Sequence, residues 1–137
     1  MTMKAFFLSL FLVASATFSY SQADLVKNAS KLKPHKEFEN ILVAPLHSDA
    51  KSSSFVIWIK DKVRLHKHAH HSEHVYVLKG KAEMMLGGKI VEVKKGDVIF
   101  IPEGTPHGVR VKGGTMKVIS VQSPEFKGKD RIFLDEM

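Results

Sequence analysis

Ten short runs of β-branched, aromatic and aliphatic residues follow one another from Ile41 onward, separated by turn-like breaks. Runs of four to seven residues are typical of strands and too short for helices. The sharpest break is Gly87-Gly88, because a two-residue hairpin loop needs the positive φ that glycine accepts. The pattern predicts an all-β, antiparallel sandwich or barrel. The runs are ILVAPL, SFVIWIK, VRLH, HVYVLK, KAEMML, KIVEV, VIFI, GVRV, MKVISVQ and RIFL.

The N-terminal segment differs from the rest of the chain. Lys4 precedes the apolar run AFFLSLFLVASA, and the small and polar residues TFSYSQA follow. This order is typical of a secretory signal peptide, and the run is too short to span a bilayer as a mature helix. We predict a signal peptide over residues 1–23, cleaved after Ala23 or Ser21, and a secreted or periplasmic protein. A buried core helix or an uncleaved anchor is the alternative.

The mature chain is predicted to contain one domain. Residues 24–38 are polar and lysine-rich, and Pro34 interrupts any helix, so they are interpreted as an N-terminal arm. Residues 39–137 hold the predicted strands and form the domain. At 137 residues the whole chain is too short for two such domains.

Charge and cysteine content exclude several functions. The net charge of +7 is spread over lysines that occur mostly singly, with no aromatic stripe, so a nucleic-acid partner is not expected. Membrane attachment after signal cleavage is not expected either. The absence of cysteine excludes zinc fingers, thiol catalysis and iron–sulfur clusters. An exported chain without disulfides must be stabilised by packing, a bound metal or a dimer.

One predicted strand is apolar on both faces. Phe55, Ile57 and Ile59 alternate with Val56 and Trp58. One face can fill a barrel, while the other packs on a second sheet or another subunit. This pattern favours a homodimer as one possibility.

Five of the eight histidines fall within nine residues, HKHAHHSEH at 66–74. Such a tract can scavenge metal without a defined site, can be a set of solvated surface residues, or can contribute to a structured site. His66 and His68 have the same strand parity, so their rings leave the same face close enough to share one cation.

Of the residues that follow His66 and His68 in this tract, only one is expected to be a ligand. Glu73 follows a four-residue turn that can bring its carboxylate back beside the two rings, whereas His74 points to the other face and is not expected to be a ligand. His70 and His71 lie in the turn, and exposure to solvent is favoured over a role at the entrance or behind a ligand.

Two further residues are candidates on weaker grounds. His107 opens a strand after a Pro-Glu-Gly bend and becomes a ligand candidate only through its pairing with the histidine tract. Arg64 shares parity with His66 and could reach an anionic substrate at the barrel mouth, although simple surface exposure is favoured.

The histidine tract resembles the first motif of the cupin superfamily, which has the form His-x-His, four residues, Glu, six residues and Gly. In this chain HKH at 66–68, AHHS, Glu73, HVYVLK and Gly80 match it position by position. One departure is Lys60, where that motif often begins with glycine.

The segment 96–107 resembles the second cupin motif, which has the form Gly, five residues, Pro-x-Gly, two residues and His. Here Gly96, DVIFI, PEG at 102–104, TP and His107 match it. A departure is Val111, where asparagine often follows. Fifteen residues, 81–95, separate the two motifs, as in compact single-domain cupins.

The resemblance implies a jelly-roll (double-stranded β-helix) barrel that binds one divalent transition metal, which could be Fe, Mn, Ni, Cu or Zn. It implies four ligands: His66, His68, Glu73 and His107. Similar small cupins include dioxygenases, decarboxylases, lyases and isomerases acting on small oxygen-rich molecules, and Glu73 is a candidate catalytic base. A non-catalytic module that binds a sugar or another small ligand, and a periplasmic metal buffer, are the alternatives. Whether the chain is an enzyme therefore stays open.

Overall fold

The structure is a computed structural model that describes residues 25–135. Within this range ten strands follow one another close to the positions that the sequence pattern predicts. They are β1 (Ile41–Ser48), β2 (Ser53–Ile59), β3 (Lys62–His68), β4 (Ser72–Lys79), β5 (Lys81–Leu86), β6 (Lys89–Lys94), β7 (Val98–Ile101), β8 (His107–Val111), β9 (Met116–Ser123) and β10 (Arg131–Phe133).

The strands form two five-stranded sheets. The first has the order β1-β2-β9-β4-β7, and the second has the order β10-β3-β8-β5-β6. The strand pairs in both sheets are antiparallel. Successive strands cross repeatedly from one sheet to the other, which is the connectivity of a jelly roll. The predicted all-β, antiparallel jelly-roll barrel is confirmed.

The hairpin between β5 and β6 forms at the predicted Gly87-Gly88 turn. Both glycines have positive φ, at 56° and 85°, and the flanking residues Leu86 and Lys89 pair across the turn. Two positive φ angles are what a type I′ turn requires, so this sequence fixes the register of the hairpin.

The main hydrophobic core lies between the two sheets. Val77 from the first sheet and Ala82 from the second are completely buried. Burial of one such aliphatic side chain of valine size contributes about 1.5–3 kcal/mol. The core consists of Ile59, Val77, Ala82, Met84, Val93, Ile99, Ile101, Met116 and Val118.

A smaller core lies on the outer face of β2, under the N-terminal arm. Val56 and Trp58 are buried there, and Leu32 and Phe38 of the arm pack against them. The arm is anchored by Lys117, whose ammonium group donates to the carbonyl oxygens of residues 29 and 32 at 2.6 and 2.7 Å. The arm therefore covers part of the face for which the sequence suggested a second sheet or subunit.

A bulge in β3 sets the direction of the histidines. Val63 pairs with Val109 and His66 pairs with His107, so β3 has one more residue than β8 between these pairs. Gly108 makes this possible, since a Cβ atom at that position would lie 2.9 Å from the Val63 carbonyl oxygen. The bulge places both Val63 and His66 on the interior side.

No helix among residues 25–135 is long and apolar enough to cross a membrane. The predicted signal peptide, residues 1–23, lies outside the described residues.

Candidate metal centre

Three histidines converge inside the barrel at one end of the core. His66 and His68 lie on β3, and His107 begins β8. All three are buried, and each offers a ring nitrogen within 4.8 Å of the other two. The ring centroids of His66 and His107 are 4.2 Å apart, and that of His68 lies 5.2 and 5.4 Å from them. Strand pairing thus joins residues that are about 40 positions apart in sequence.

The orientation of two rings is fixed by backbone carbonyl groups. Nδ1 of His66 donates to the Arg64 carbonyl at 2.8 Å, and Nδ1 of His107 donates to the Thr105 carbonyl at 2.9 Å. Because a carbonyl oxygen only accepts hydrogen bonds, the single proton of either ring in its neutral form lies on Nδ1. In this form Nε2 presents a lone pair, as the binding of a metal ion requires.

Glu73, at the start of β4, brings a carboxylate to the histidines. Its Oε2 atom lies 3.3 Å from Nε2 of His107 and 3.5 Å from Nε2 of His68. Its Oε1 atom accepts a hydrogen bond from the Ser120 hydroxyl at 2.5 Å. The group of residues whose ligand atoms all lie within 4.8 Å of one another contains the three histidines and does not include Glu73. The carboxylate borders the histidine cluster on one side.

The protonation states suit a cation. Burial and the neighbouring His107 ring lower the pKa of His66 to about 4, so its ring is neutral at neutral pH. Burial raises the pKa of Glu73, but the His107 and His68 rings, which favour the carboxylate when a proton lies between ring nitrogen and oxygen, and the Ser120 hydroxyl outweigh burial and lower the pKa far below its ordinary value. A carboxylate held in its charged form is better suited to ligation than to accepting a proton at neutral pH.

The site fits a metal ion by its chemistry and by one unpaired atom. Nε2 of His107 is buried and has no hydrogen-bond partner among the described residues. Leaving a buried polar atom unpaired costs about 1–3 kcal/mol, and ligation of a cation removes that cost. Neutral imidazoles with a carboxylate are suitable ligands for Fe²⁺, Mn²⁺, Ni²⁺, Cu²⁺ and Zn²⁺.

A small, mostly apolar cavity of about 80 Å³ adjoins the histidines. Val75 and Val109 line it, and so does Gln122, whose Oε1 atom has no partner among residues 25–135. Gln122 and Ser120 were missed by sequence analysis. Their signal was polarity at alternate positions of an otherwise apolar strand, MKVISVQ, which places both on the interior face.

A second cluster lies behind His68. His71 and Asp130 are buried and in contact through Nδ1 and Oδ2, and with His68 they form another group whose ligand atoms lie within 4.8 Å. The expectation that His71 is solvated was wrong, because Asp130 pairs with it and covers it. Sequence spacing gave no signal for Asp130, which lies 59 residues from His71.

Hydrogen bonds favour the doubly protonated form of His71. Burial lowers its pKa, but the hydrogen bonds to the Glu125 carbonyl and to Asp130 outweigh burial and raise the pKa above its ordinary value. Nε2 donates to the carbonyl at 3.0 Å, so the contact between Nδ1 and Asp130 requires the second ring proton.

The other candidates lie away from the histidine cluster. His70 is exposed, and His74 is exposed on the outer face, where its ring stacks on Phe100 with centroids 4.7 Å apart. Arg64 is also exposed, and its guanidinium group lies over the Phe133 ring rather than in the cavity. The parity that related Arg64 to His66 does not hold across the bulge. Arg131, which sequence analysis missed, lines the cavity instead.

Two sheets in jelly-roll connectivity with a buried cluster of three histidines define a double-stranded β-helix barrel with a metal-type site. The cupin domain family matches residues 55–122. An uncharacterised protein from Aquifex aeolicus is 34% identical over 109 residues, which cover 78% of this chain and 90% of that protein. The chain belongs to the cupin family.

Two comparisons concern enzymes. Quercetin 2,3-dioxygenase from Bacillus subtilis is 30% identical over 64 residues, which cover 47% of this chain and 19% of that enzyme. A nucleoside dehydratase from Streptomyces has a similar structure, with a TM-score of 0.64 and 17% identity over 74% of this chain and 86% of that chain. The latter similarity is one of fold.

Proposed function

We propose that this protein is an exported cupin that binds one divalent transition metal through His66, His68, Glu73 and His107 and acts as a metalloenzyme on a small oxygen-rich molecule. The observation that carries the proposal is the convergence of three buried imidazoles beside a charged carboxylate. When bound, the ion would supply Lewis-acid or redox chemistry.

The roles of the chain's own residues follow from their contacts. The carbonyls of Arg64 and Thr105 keep two ring protons away from the site, and Ser120 holds the Glu73 carboxylate. The apolar walls exclude water and strengthen electrostatic interactions in the cavity. Gln122 offers an acceptor to a hydroxyl group of a bound molecule.

The size of the cavity limits the substrate. At about 80 Å³ it is far smaller than the roughly 300–1,000 Å³ of pockets that enclose drug-sized ligands. The substrate is therefore a molecule of a few heavy atoms, or a larger one that inserts only its reacting end. Arg131 at the cavity lining favours an anionic group on that molecule.

Binding of the metal is tested by metal analysis and by titration of protein without a histidine tag. We expect about one ion per chain in the wild type and a strong loss of affinity in His66→Ala and His107→Ala. His74→Ala is the matched control, since this histidine lies in the same tract but on the outer face. A metal buffer would instead bind several ions and lose little with each single substitution.

Catalysis is tested by turnover and oxygen uptake with the Fe²⁺- and Mn²⁺-loaded protein, screened against diketones, flavonols, oxalate-like acids and sulfonio acids. Saturable binding without turnover would favour the alternative of a ligand-binding module. Export is tested by fractionation of cells and by N-terminal sequencing of the mature protein, where we expect a start at residue 22 or 24.

A further inference from the structure

The three histidines of the proposed metal site differ in what their Nδ1 atoms face. For His66 and His107 the partner is a neutral backbone carbonyl two residues earlier in the chain. For His68 no hydrogen-bond partner of Nδ1 exists among the described residues, although the ring is 97% buried, with a relative exposure of 3%. Oδ2 of Asp130 lies 3.5 Å from this atom.

We propose that Asp130 is a positioning residue for the metal site: its carboxylate holds the ring proton of His68 on Nδ1 and so keeps Nε2 free as a ligand. This inference rests on the proposed function, and in it Asp130 acts on the metal site through His68. A carboxylate behind a ligand histidine also raises the basicity of the ring and fixes its orientation.

The ring proton of the neutral His68 can lie on either nitrogen, because a carboxylate oxygen faces each of them. A group that favours one of the two positions therefore matters. Nε2 of His68 faces Oε2 of Glu73 at 3.5 Å, the same distance that separates Nδ1 from Asp130. Without Asp130 the proton would move to Nε2, toward the Glu73 carboxylate, and would block the nitrogen that a metal needs. The attraction of the Asp130 carboxylate for the ring proton at Nδ1 thus opposes that of the Glu73 carboxylate at Nε2.

The place of Asp130 is itself fixed by the turn before β4. Its Oδ1 atom accepts the backbone N–H of His70 at 2.9 Å, its Oδ2 atom contacts Nδ1 of His71, and its backbone carbonyl accepts the N–H of Ala69 at 3.2 Å. These contacts join the residue that precedes β10 to the histidine tract. They hold the carboxylate rigidly behind His68 and explain why His71 is buried although it is not among the proposed ligands.

The test measures the tautomer of each histidine in the metal-free protein by ¹⁵N–¹H NMR, in the wild type and in Asp130→Asn. We expect His68 to carry its proton mainly on Nδ1 in the wild type and to shift toward the Nε2–H form in the variant. His66 and His107 serve as internal controls, since their carbonyl partners are untouched. Zinc affinity is expected to fall about 10- to 100-fold in the variant, and Glu83→Gln provides a control for loss of an exposed carboxylate.

The outcomes separate this inference from the proposed function. A wild-type His68 protonated only on Nε2 would overturn the inference even if the variant fails to fold, and so would an unchanged tautomer in Asp130→Asn. If the tautomer shifts but the wild type binds no zinc, the inference stands and the metal-binding function fails. Binding of a second zinc ion that is lost in His71→Ala would make Asp130 a ligand and would also overturn the inference.

Discussion

Nε2 of His107 lies 3.3 Å from Oε2 of Glu73, and yet it makes no hydrogen bond to any atom of residues 25–135. In the neutral form of the ring the proton is donated to the Thr105 carbonyl, so a nitrogen lone pair faces a charged oxygen across a buried gap. Two acceptors in this arrangement repel each other unless a proton or a cation lies between them. This relationship explains why the site is suited to a metal ion.

Substitution of Glu73 by glutamine keeps the shape of the side chain and removes its charge. We expect the fold to be retained, because the amide oxygen can still accept the Ser120 hydroxyl, and metal affinity to fall at least about 10-fold. Titration calorimetry with Mn²⁺ and Zn²⁺ measures this. Glu83→Gln is the control, since Glu83 is a half-exposed carboxylate paired with Lys112. Equal affinity of Glu73→Gln and the wild type would exclude Glu73 as a ligand.

Addition of metal should stabilise the fold, because the ligands come from three strands that unfolding separates. At a free-ion concentration of 100 times the Kd, binding adds about 2.7 kcal/mol to the free energy of unfolding. For a domain of this size, that raises the Tm by roughly 10 °C. Thermal unfolding monitored by circular dichroism tests this, and His66→Ala should show almost no shift. A similar shift in both proteins would place the ion elsewhere.

The close approach of β3 and β8 predicts that Gly108→Ala is destabilising. The added Cβ atom would lie 2.9 Å from the Val63 carbonyl oxygen and 3.1 Å from Cα of Leu65, so the backbone must move. We expect a loss of about 1–3 kcal/mol and weaker metal binding, because His107 is the adjacent residue. Chemical unfolding and metal titration measure the two effects.

Gly88→Ala is the matched comparison for that substitution. Gly88 has open space around it but a φ of 85°, so alanine there is strained by about 1–2 kcal/mol while the metal site is undisturbed. If both variants bind metal equally well, the bulge at Gly108 does not position the site.

The arm provides a prediction that is independent of the site. Phe38 is half buried against the cluster that contains Trp58, so Phe38→Ala should destabilise the protein by about 1.5–3 kcal/mol. Because Trp58 is the single tryptophan of the chain, its fluorescence should shift to longer wavelength as water gains access. Metal affinity should not change, since the arm covers the outer face of β2. An unshifted emission spectrum would indicate that the arm does not cover Trp58 in solution.

Lys117 predicts a pH dependence at alkaline pH. Burial, together with the nearby charge of Lys79, lowers its pKa in the folded state below the ordinary value of 10.5. The unfolded chain therefore binds more protons than the folded one between the lowered pKa and 10.5, and stability through this group rises with pH in that window.

The comparison that isolates this effect is between the wild type and Lys117→Met. Urea unfolding between pH 7 and 10.5 should show the wild type gaining stability relative to the variant as the pH rises. A difference that stays constant with pH would mean that the ammonium group is not desolvated by the arm.

Local patterns in the sequence were sufficient for the strands, the Gly87-Gly88 hairpin and the shared face of His66 and His68. Each depends on residues close together in the chain: side-chain alternation along a strand, and the positive φ that a tight turn demands. Motif spacing then added Glu73 and His107 as candidates. These features needed no knowledge of which strands pair.

The tertiary structure alone decided that Asp130 buries His71 and that the arm packs on the cluster containing Trp58. It also decided that Arg131, and not Arg64, lines the cavity. The physical reason is that each depends on strand pairing or on a bulge. A single extra residue in β3 reverses the parity on which sequence reasoning depends, and contacts across 59 residues leave no local pattern.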